Sequence, residues 1–360
     1  MDYTHGGNVY KIAREKNIPV EKIIDFSANI NPLGLSDIGN RRLKDAWRGL
    51  LHYPDPDYVA LKEALASFHE CKTEQVFLGN GAIDVIFFLM DSLRPQSALI
   101  LAPTFVEYER ALKAVESRVT PFYLKEEDGF QLNVETYLEE AMQHDCLILC
   151  NPNNPTGQLL AKKSMLDILT FAKAHDKKLV IDEAFMDFTD EEELNSCIDQ
   201  LSAYDNLFIL RSITKFFAVP GLRLGYLLTS NRAFREIYIN KKAPWCVNHF
   251  AQEYTIGALE DRAYIEKSKA YIISEREYLY KMLKDIKDVF PYQSHGNYIF
   301  FKYDGQKNLK ELLENEGILI RSCSNYRGLE ACYFRVAVKT EGENRKLLAS
   351  IKRLTNEIVD

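Results

Sequence analysis

The sequence predicts an α/β fold, in which a large domain has a mostly parallel mixed sheet flanked by helices and a smaller α+β domain lies beside it. The first observation is a series of short, continuous apolar runs bounded by turn residues, at 76–78, 98–101, 146–149, 178–181, 207–210 and 224–228. Such runs are typical of strands buried on both faces. The second observation is that helical stretches separate most of the runs, which indicates crossover connections.

A third observation indicates the second domain. Around Pro244 the pattern changes to a long helical stretch at 263–286, then apolar runs near 298–301, 318–320 and 333–337, with helices from Leu309 and Glu343. This mixture is typical of an α+β domain. We expect residues 36–245 to form the large domain, and residues 1–35 and 246–360 to form the small domain with an N-terminal arm that covers the substrate.

Composition and charge narrow the class of protein. The chain has 360 residues, of which 46% are hydrophobic, so it can bury a sizeable core. Its net charge is −7 with acidic and basic residues interspersed, which is unlike the basic stripe of a nucleic-acid binder. No apolar run reaches the length of a membrane span and residues 1–5 do not resemble a signal peptide, so we expect a soluble cytoplasmic protein with neither nucleic-acid nor membrane partners. The seven cysteines lack metal-type spacing, which predicts buried thiols in a reducing compartment and no metal site.

Residues that follow the apolar runs are candidates for a functional site, because ligands of an α/β sheet gather beyond the carboxyl ends of its strands. The glycine turn at 79–81 opens a helix, where free backbone N–H groups favour a phosphate. An ordinary tight turn would have the same sequence. Phe105 follows the second run and would present an aromatic ring at the edge of the sheet, or would pack in the core.

Two further strand ends carry polar side chains. Residues 151–157 contain two X-Pro bonds and end on Gly157, which predicts an extended loop that presents amide side chains. Asp182 follows the next run along the chain. A carboxylate at the end of a buried strand is costly unless it meets a cation or a donor, so we expect a partner for Asp182. The alternative is that Asp182 caps a helix.

Lys215 lies in an apolar stretch close to Ser212, Thr214 and Arg223. A primary amine attacks a carbonyl only when it is uncharged, and burial beside another cation lowers its pKa toward that state. The pattern indicates a Schiff-base lysine, with the two hydroxyls and the guanidinium suited to a phosphate dianion. The alternative is a lysine that lays its stem on apolar surface.

These segments occur in an order that resembles that of a known family. Segments 151–157, 182–184, 212–215 and 223–225 together resemble the fold-type I pyridoxal-phosphate enzymes, in the branch that contains the histidinol-phosphate aminotransferases. The resemblance covers almost the whole chain and implies pyridoxal 5'-phosphate as the cofactor. It implies covalent attachment at Lys215, with Asp182 paired to the pyridinium nitrogen, Asn154 bonded to the 3-oxygen and Phe105 stacked on the ring.

The same resemblance implies the remaining cofactor contacts and a homodimer. Arg335 would clamp a substrate carboxylate in bidentate geometry. Two departures from the aminotransferase pattern weaken transamination as the reaction: Phe185 stands where many relatives have tyrosine, and segment 82–84 lacks their serine-acid-acid run. The cofactor phosphate would be held by Tyr53 of the other subunit and by Gly81, Ala82, Ser212, Thr214 and Arg223.

A closer resemblance bears on the reaction. Segments 5–8, 25–34, 320–326 and 334–338 look like those of the threonine-phosphate decarboxylases, which make aminopropanol phosphate for the cobalamin side chain. This implies a carboxy-lyase that converts L-threonine O-3-phosphate to (R)-1-amino-2-propanol O-2-phosphate and CO2. Arg321 and Arg335 would be the main receptors of the two anionic groups of a phosphorylated amino acid. The other implied substrate contacts are His5, Gly7, Asn8, Asn31 and Asn154.

The sequence leaves several alternatives open. The bond at Cα that lies perpendicular to the cofactor ring is the one that breaks, so binding geometry selects decarboxylation or transamination. Lys215, a water molecule or a tyrosine could return the proton to Cα. Decarboxylation of L-serine O-phosphate, transamination of histidinol phosphate and a non-catalytic module that binds amino-acid phosphates are the alternative functions.

Overall fold

The structure is a computed structural model of the chain and describes residues 6–190 and 192–356. Its strands are β1 (Ile24–Asp25), β2 (Val76–Gly79), β3 (Ser97–Ala102), β4 (Arg118–Tyr123), β5 (Cys146–Cys150), β6 (Lys178–Asp182), β7 (Leu207–Ser212), β8 (Gly225–Leu228), β9 (Val289–Pro291), β10 (Tyr298–Tyr303), β11 (Ile318–Leu319), β12 (Arg321–Ser322) and β13 (Tyr333–Ala337). Its helices are α1 (Val9–Lys16), α2 (Asp37–Asp45), α3 (Val59–Phe68), α4 (Ala82–Leu93), α5 (Glu107–Ala114), α6 (Val134–Ala141), α7 (Lys162–Ala174), α8 (Glu192–Asn195), α9 (Ile213–Phe216), α10 (Arg232–Lys241), α11 (His249–Glu260), α12 (Arg262–Lys284), α13 (Leu309–Asn315) and α14 (Glu341–Asn356).

The large sheet has seven strands in the order β2-β8-β7-β6-β5-β3-β4. Strands β4, β3, β5, β6 and β7 pair in parallel, and β8 is antiparallel to both of its neighbours. This mixed, mostly parallel sheet confirms the predicted fold class. The six predicted runs all form strands, whereas β4 was not predicted. It lies at the edge, is only half-buried and contains Pro121, so it lacks the continuous apolar pattern that marks the central strands.

The central strands are buried because helices cover both faces of the sheet. Alternate side chains of one strand enter two separate hydrophobic clusters: Leu147 and Leu149 lie in one, and Cys146, Ile148 and Cys150 lie in the other. Period-two alternation of this kind is the property of a strand with an apolar environment on each side. The carboxyl ends of the parallel strands consequently point to one edge, where the loops that follow them meet.

The small sheet has four antiparallel strands in the order β12-β13-β10-β9. A separate parallel pair joins β1 to β11, so the N-terminal arm is attached to the small domain. The 23-residue helix α12 agrees with the long helical stretch predicted from the sequence. The division into residues 36–245 and the remainder stays a proposal; α11 packs on α2 and α3 and would belong with the large domain. Within the described ranges, no helix combines the length and apolar character that crossing a bilayer requires.

Residues 26–34, which follow β1, cross between the two domains without regular structure. The Phe26 carbonyl accepts from Ala337 N at 2.8 Å, and Asn31 N donates to the Lys215 carbonyl at 3.1 Å. Ser36 then begins α2 as its N-cap, with its hydroxyl accepting from Gly39 N. The segment therefore connects the small sheet to the short helix that carries Lys215.

Candidate active site

A cavity of about 310 Å³ lies beyond the carboxyl ends of β5, β6 and β7. Its walls come from the large domain, from β12 and β13 of the small domain, and from segment 27–29 of the N-terminal arm. A site at this edge is expected for an α/β sheet. The cavity brings together many of the predicted residues: Ala82, Phe105, Asn154, Asp182, Ser212, Thr214, Lys215, Arg223, Arg321 and Arg335.

Lys215 is the amine of the site. It lies on α9, directly after β7, where Ser212 caps the helix by accepting from Thr214 N. Burial, together with the positive charges of Arg335 and Arg223, lowers the pKa of Lys215 to about 8, and the carboxylate of Asp182 opposes this shift. The uncharged amine, which nucleophilic attack requires, is therefore a minority at pH 7 and becomes the main form as the pH rises through about 8.

Asp182 ends β6 and is only 4% exposed. Its Oδ2 accepts from the Tyr108 hydroxyl at 2.6 Å, and its Oδ1 accepts from Ala184 N at 2.9 Å. Burial raises the pKa of Asp182, and the hydrogen bonds from Tyr108 and Ala184 oppose this rise. The expected partner of the carboxylate is thus a tyrosine that the sequence did not identify. Its position as the second residue of α5, three residues after Phe105, is the signal that could have identified it.

The starts of α4 and α9 form a cradle suited to a phosphate. Gly81 precedes α4 with a φ of 84°, and a side chain there would collide with the guanidinium of Arg223. The hydroxyls of Ser212 and Thr214 are 2.8 Å apart on the facing element. A side chain on Gly225 would collide with the backbone of the glycine turn, so this glycine permits the close packing of β8. Free helix N–H groups, two hydroxyls and a guanidinium are a donor set that fits a dianion.

Arg321 and Arg335 face the cavity from the small domain. They are directly opposite each other in the antiparallel pair β12–β13, so both side chains project from the same face of the sheet. Both are more than nine-tenths buried. Arg335 donates to Asn154 Oδ1 at 2.5 Å and to the Ser27 carbonyl at 3.0 Å.

Arg321 donates to Asn325 Oδ1 at 2.8 Å and lies over the ring of Tyr326. Tyr326 also lines the cavity, and its hydroxyl donates to Asn154 Oδ1 at 3.3 Å. Two buried guanidiniums at one end of the cavity create a positive region that suits an anionic ligand.

Two buried polar atoms of cavity-lining residues have no hydrogen-bond partner among the residues that the structure describes. They are the acceptor Asn29 Oδ1 and the donor Nε of Arg335. Buried polar atoms are costly unless they are bonded, so both fit a polar ligand that supplies a donor and an acceptor. Asn29 was not predicted, although the segment that contains it was.

Asn31 was predicted to contact substrate, and the structure does not bring it to the cavity. Its Nδ2 is within hydrogen-bond distance of the Phe216 carbonyl, the Tyr264 hydroxyl and the Ser268 hydroxyl, and its Oδ1 accepts from Leu33 N. The side chain is therefore occupied in holding the arm against α9 and α12. Asn29, two residues earlier, lines the cavity instead.

The N-terminal contacts lie at a second cavity of about 290 Å³ beside the first. Gly7 and Asn8 line it, and Ser27 and Arg321 contribute to the walls of both cavities. Asn8 also begins α1, because its Oδ1 accepts from Lys11 N at 3.1 Å. His5 lies outside the described residues.

Tyr53 does not line the cavity of its own chain. The residue is 82% exposed, and the centroid of its ring lies 4.8 Å from that of Trp245. The exposed apolar side chains of Trp47 and Leu51 are on the same segment. This part of the surface therefore carries large apolar groups, as a surface that binds another protein does.

Comparison with known proteins identifies the family of the chain. The family model described as aminotransferase class I and II matches residues 21–351. The chain belongs to the class I and II aminotransferase family. This membership confirms the family relationship that the segments around Lys215, Asp182 and Asn154 indicated.

Within the class I and II aminotransferase family, the chain is similar to two kinds of enzyme. It is 36% identical to the threonine-phosphate decarboxylase of Salmonella typhimurium over 355 residues, which cover 98% of this chain and 97% of that one. The histidinol-phosphate aminotransferase of Clostridium acetobutylicum superposes with a TM-score of 0.87 at 32% identity, over 92% of this chain and 99% of that one. The L-threonine-O-3-phosphate decarboxylase of Porphyromonas gingivalis superposes with a TM-score of 0.82 at 25% identity, over the same two shares.

Proposed function

We propose that the protein is a pyridoxal-phosphate-dependent carboxy-lyase that converts L-threonine O-3-phosphate to (R)-1-amino-2-propanol O-2-phosphate and CO2. The observation that carries the proposal is the pair of buried guanidiniums, Arg321 and Arg335, which are opposite each other in β12–β13 at the Lys215 cavity. An amino-acid phosphate has two anionic groups, a carboxylate and a phosphate, and each can bind to one guanidinium of the pair. The 36% identity to a threonine-phosphate decarboxylase supports the choice of reaction. The resemblance of the segments to those enzymes implies that the product serves cobalamin biosynthesis.

The residues around Lys215 fit pyridoxal 5'-phosphate as the cofactor. Lys215 would hold it covalently and Asp182 would contact its ring nitrogen, with Phe105 against the ring face and Asn154 at its 3-oxygen. When bound, pyridoxal phosphate supplies an electron sink for the pair of electrons left on Cα. Its phosphate would be held by Ala82, Ser212, Thr214, Arg223 and the backbone at Gly81.

The two arginines would orient the substrate. Arg335 is held by Asn154 and by the Ser27 carbonyl, so its guanidinium is fixed before substrate arrives. Arg321 lies where the two cavities meet, next to the N-terminal arm. Binding both anionic groups of the substrate would restrict rotation about its Cα–N bond, so that binding energy sets which bond is broken.

Lys215 is the proposed donor of the proton that replaces CO2 at Cα. Since burial and the neighbouring arginines lower the pKa of its amine to about 8, Nζ can both hold and release a proton near neutral pH. Asn29 Oδ1 is the candidate acceptor for a donor group of the ligand.

The arm and a small-domain loop would exclude water from the site. Segment 27–29 lines the cavity on one side, and the loop with Tyr326 lines it on another. Arg327, next to Tyr326, pairs with the buried carboxylate of Glu109 on α5 at 2.6 Å, which fixes the loop against the large domain. Electrostatic interactions strengthen when water is excluded, and this favours the charged groups in the cavity.

We also propose that the protein is a cytoplasmic homodimer, with Tyr53 of each subunit reaching the cofactor phosphate of the other. The exposed apolar group of Trp47, Leu51 and Tyr53 supports this, because an exposed apolar patch marks a surface for association.

A product assay tests the proposed reaction. Threonine phosphate, serine phosphate and histidinol phosphate are each incubated with the cofactor-loaded protein, with and without 2-oxoglutarate. We expect CO2 and aminopropanol phosphate from threonine phosphate in the absence of 2-oxoglutarate. Serine phosphate lacks one methyl group, which is worth about 1 to 3 kcal/mol in an apolar pocket, so a slower reaction is expected.

Histidinol-phosphate transamination is the second candidate, because the TM-score of 0.87 to such an aminotransferase shows a closely matching scaffold. Turnover of histidinol phosphate that needs 2-oxoglutarate, without CO2 release from threonine phosphate, would establish it in place of the decarboxylase. A protein that binds threonine phosphate and forms no product would instead be a binding module.

A further inference from the structure

We propose that Tyr108 is a positioning residue, which keeps Asp182 ionised and directed at the ring nitrogen of the cofactor. The inference rests on the proposed cofactor and adds a residue that no motif of the sequence indicated. Tyr108 acts through Asp182 and through Phe105, and it does not take part in the bond changes at Cα.

The geometry gives Tyr108 two connections to the cofactor site. Its hydroxyl donates to Asp182 Oδ2 at 2.6 Å, and its side chain is 1% exposed, so the hydrogen bond is shielded from water. Its ring packs edge-on against Phe105, with centroids 5.6 Å apart and an interplanar angle of 80°. Both contacts depend on the start of α5, where Tyr108 is the second residue of the helix and Phe105 lies just before it. Tyr108 therefore connects the residue expected at the ring nitrogen to the residue expected at the ring face.

Without the hydrogen bond from Tyr108, the carboxyl group of Asp182 would ionise less readily. Burial raises the pKa of Asp182, and the hydrogen bond from the Tyr108 hydroxyl does most to lower it again, followed by the hydrogen bond from Ala184 N. Each carboxylate oxygen then has one donor, and unused lone pairs remain for a ring N–H. The titratable or charged groups that face Asp182 are Tyr108, Cys150, Arg211, Lys215 and Tyr298.

The other groups around Asp182 cannot replace Tyr108. Cys150 and Tyr298 each donate to a backbone carbonyl, and the Arg211 guanidinium pairs with Glu183 at 2.7 Å, so these groups have partners of their own. The charge of Lys215 varies, because the pKa of its amine is lowered to about 8. The pKa of Tyr108 itself is raised well above its ordinary value by burial and by the carboxylate. Its hydroxyl is therefore a donor across the whole working range of pH.

The variant Tyr108→Phe tests the proposal, since it keeps the ring and removes only the hydroxyl. Loss of a hydrogen bond to a buried charge predicts cofactor binding that is about tenfold weaker, equal to about 1.4 kcal/mol. The pH midpoint of the visible absorption of the bound cofactor should rise by about one unit, because a less firmly protonated ring withdraws fewer electrons from the group attached to Lys215. A role in packing alone would not move this midpoint.

The matched control is Tyr137→Phe. Tyr137 is a fully buried tyrosine whose hydroxyl has no hydrogen-bond partner among the described residues, and it lies on α6, away from the cavity. Removal of this hydroxyl should leave the cofactor affinity and the pH midpoint unchanged. Thermal unfolding of each apoprotein establishes that it is folded. If Tyr108→Phe does not fold, Tyr108→His, which keeps a donor, takes its place and is expected to give a smaller shift.

A double-mutant cycle with Asp182→Asn decides whether Tyr108 acts through Asp182. In the Asp182→Asn background, Tyr108→Phe should have no further effect on cofactor dissociation. An equal loss in both backgrounds, or wild-type affinity and midpoint in Tyr108→Phe, would overturn the proposal. If the wild-type protein itself fails to bind pyridoxal phosphate, the proposed function is wrong, and this outcome is distinct from a failure of the inference on Tyr108.

Discussion

The variant Arg335→Lys gives a sharp test of how the substrate is held, because it keeps the positive charge and removes the planar fork. Arg335 donates to Asn154 Oδ1 at 2.5 Å and to the Ser27 carbonyl at 3.0 Å, and its Nε is an additional buried donor. A lysine ammonium at the end of a flexible stem cannot supply these donors in one plane. It would leave at least one buried acceptor without its donor and the ligand without a bidentate partner.

The magnitude follows from the hydrogen bonds that the substitution removes. A hydrogen bond to a charged group contributes about 1.5 to 3 kcal/mol, so removal of one or two of them should cost about 3 kcal/mol. We therefore expect kcat/KM for threonine phosphate to fall by about two orders of magnitude in Arg335→Lys. The visible absorption of the bound cofactor should persist, because Arg335 is not part of the cradle formed by Ser212, Thr214 and Arg223.

The assay is steady-state CO2 release over a range of threonine phosphate concentrations. Arg345→Lys is the matched control, because Arg345 is an exposed arginine on α14 that pairs with Glu341 in the adjacent turn. Exposed pairs of this kind contribute less than about 1 kcal/mol, so wild-type kinetics are expected for the control. An Arg335→Lys enzyme with kcat/KM within about threefold of wild type would refute the role that we assign to the guanidinium, since the predicted decrease is far larger.

Three further predictions concern Lys215, Tyr53 and Glu109. The rate at which pyridoxal phosphate becomes covalently attached to the apoprotein should rise with pH through a midpoint near 8, because only the uncharged amine attacks and the pKa of Lys215 is lowered to about 8. A midpoint at 10.5, the ordinary value for lysine, would contradict this, and Lys215→Ala should form no covalent linkage. Tyr53→Phe should weaken cofactor binding about tenfold while the dimer persists in sedimentation, and wild-type affinity would exclude the contact between subunits. Glu109→Gln should raise KM several-fold with little change in kcat, because it releases the loop that Arg327 holds; an unchanged KM would show that the loop closes without this pair.

The structural features that the sequence predicts correctly are those encoded within one continuous segment of the chain. The central strands are continuous apolar runs, so their burial is encoded in consecutive residues. Lys215 and Asp182 directly follow or end such strands, and the topology of a parallel sheet brings strand ends to one edge. The edge strand β4 was missed because half-exposed residues and Pro121 give it no such signature.

The assignment of the asparagines shows where sequence reasoning fails. Asn29 and Asn31 are two residues apart in an irregular segment, and residues at this spacing need not face the same way once the backbone departs from a regular strand. The choice between them depends on Tyr264 and Ser268, which occupy Asn31 from a helix more than 230 residues later. Nothing near the two asparagines indicates that environment.

The sequence by itself determined the family, the fold class and the group of residues that suits a pyridoxal-phosphate enzyme, because these depend on local patterns and on short segments in a fixed order. Only the tertiary structure decided which distant side chains meet. It placed Arg321 opposite Arg335, Tyr108 on Asp182 and Asn29 at the cavity. The physical reason is that strand register and helix packing set these contacts. Strand register and helix packing depend on the burial of many residues, so no local sequence pattern at the contacting positions predicts the contact.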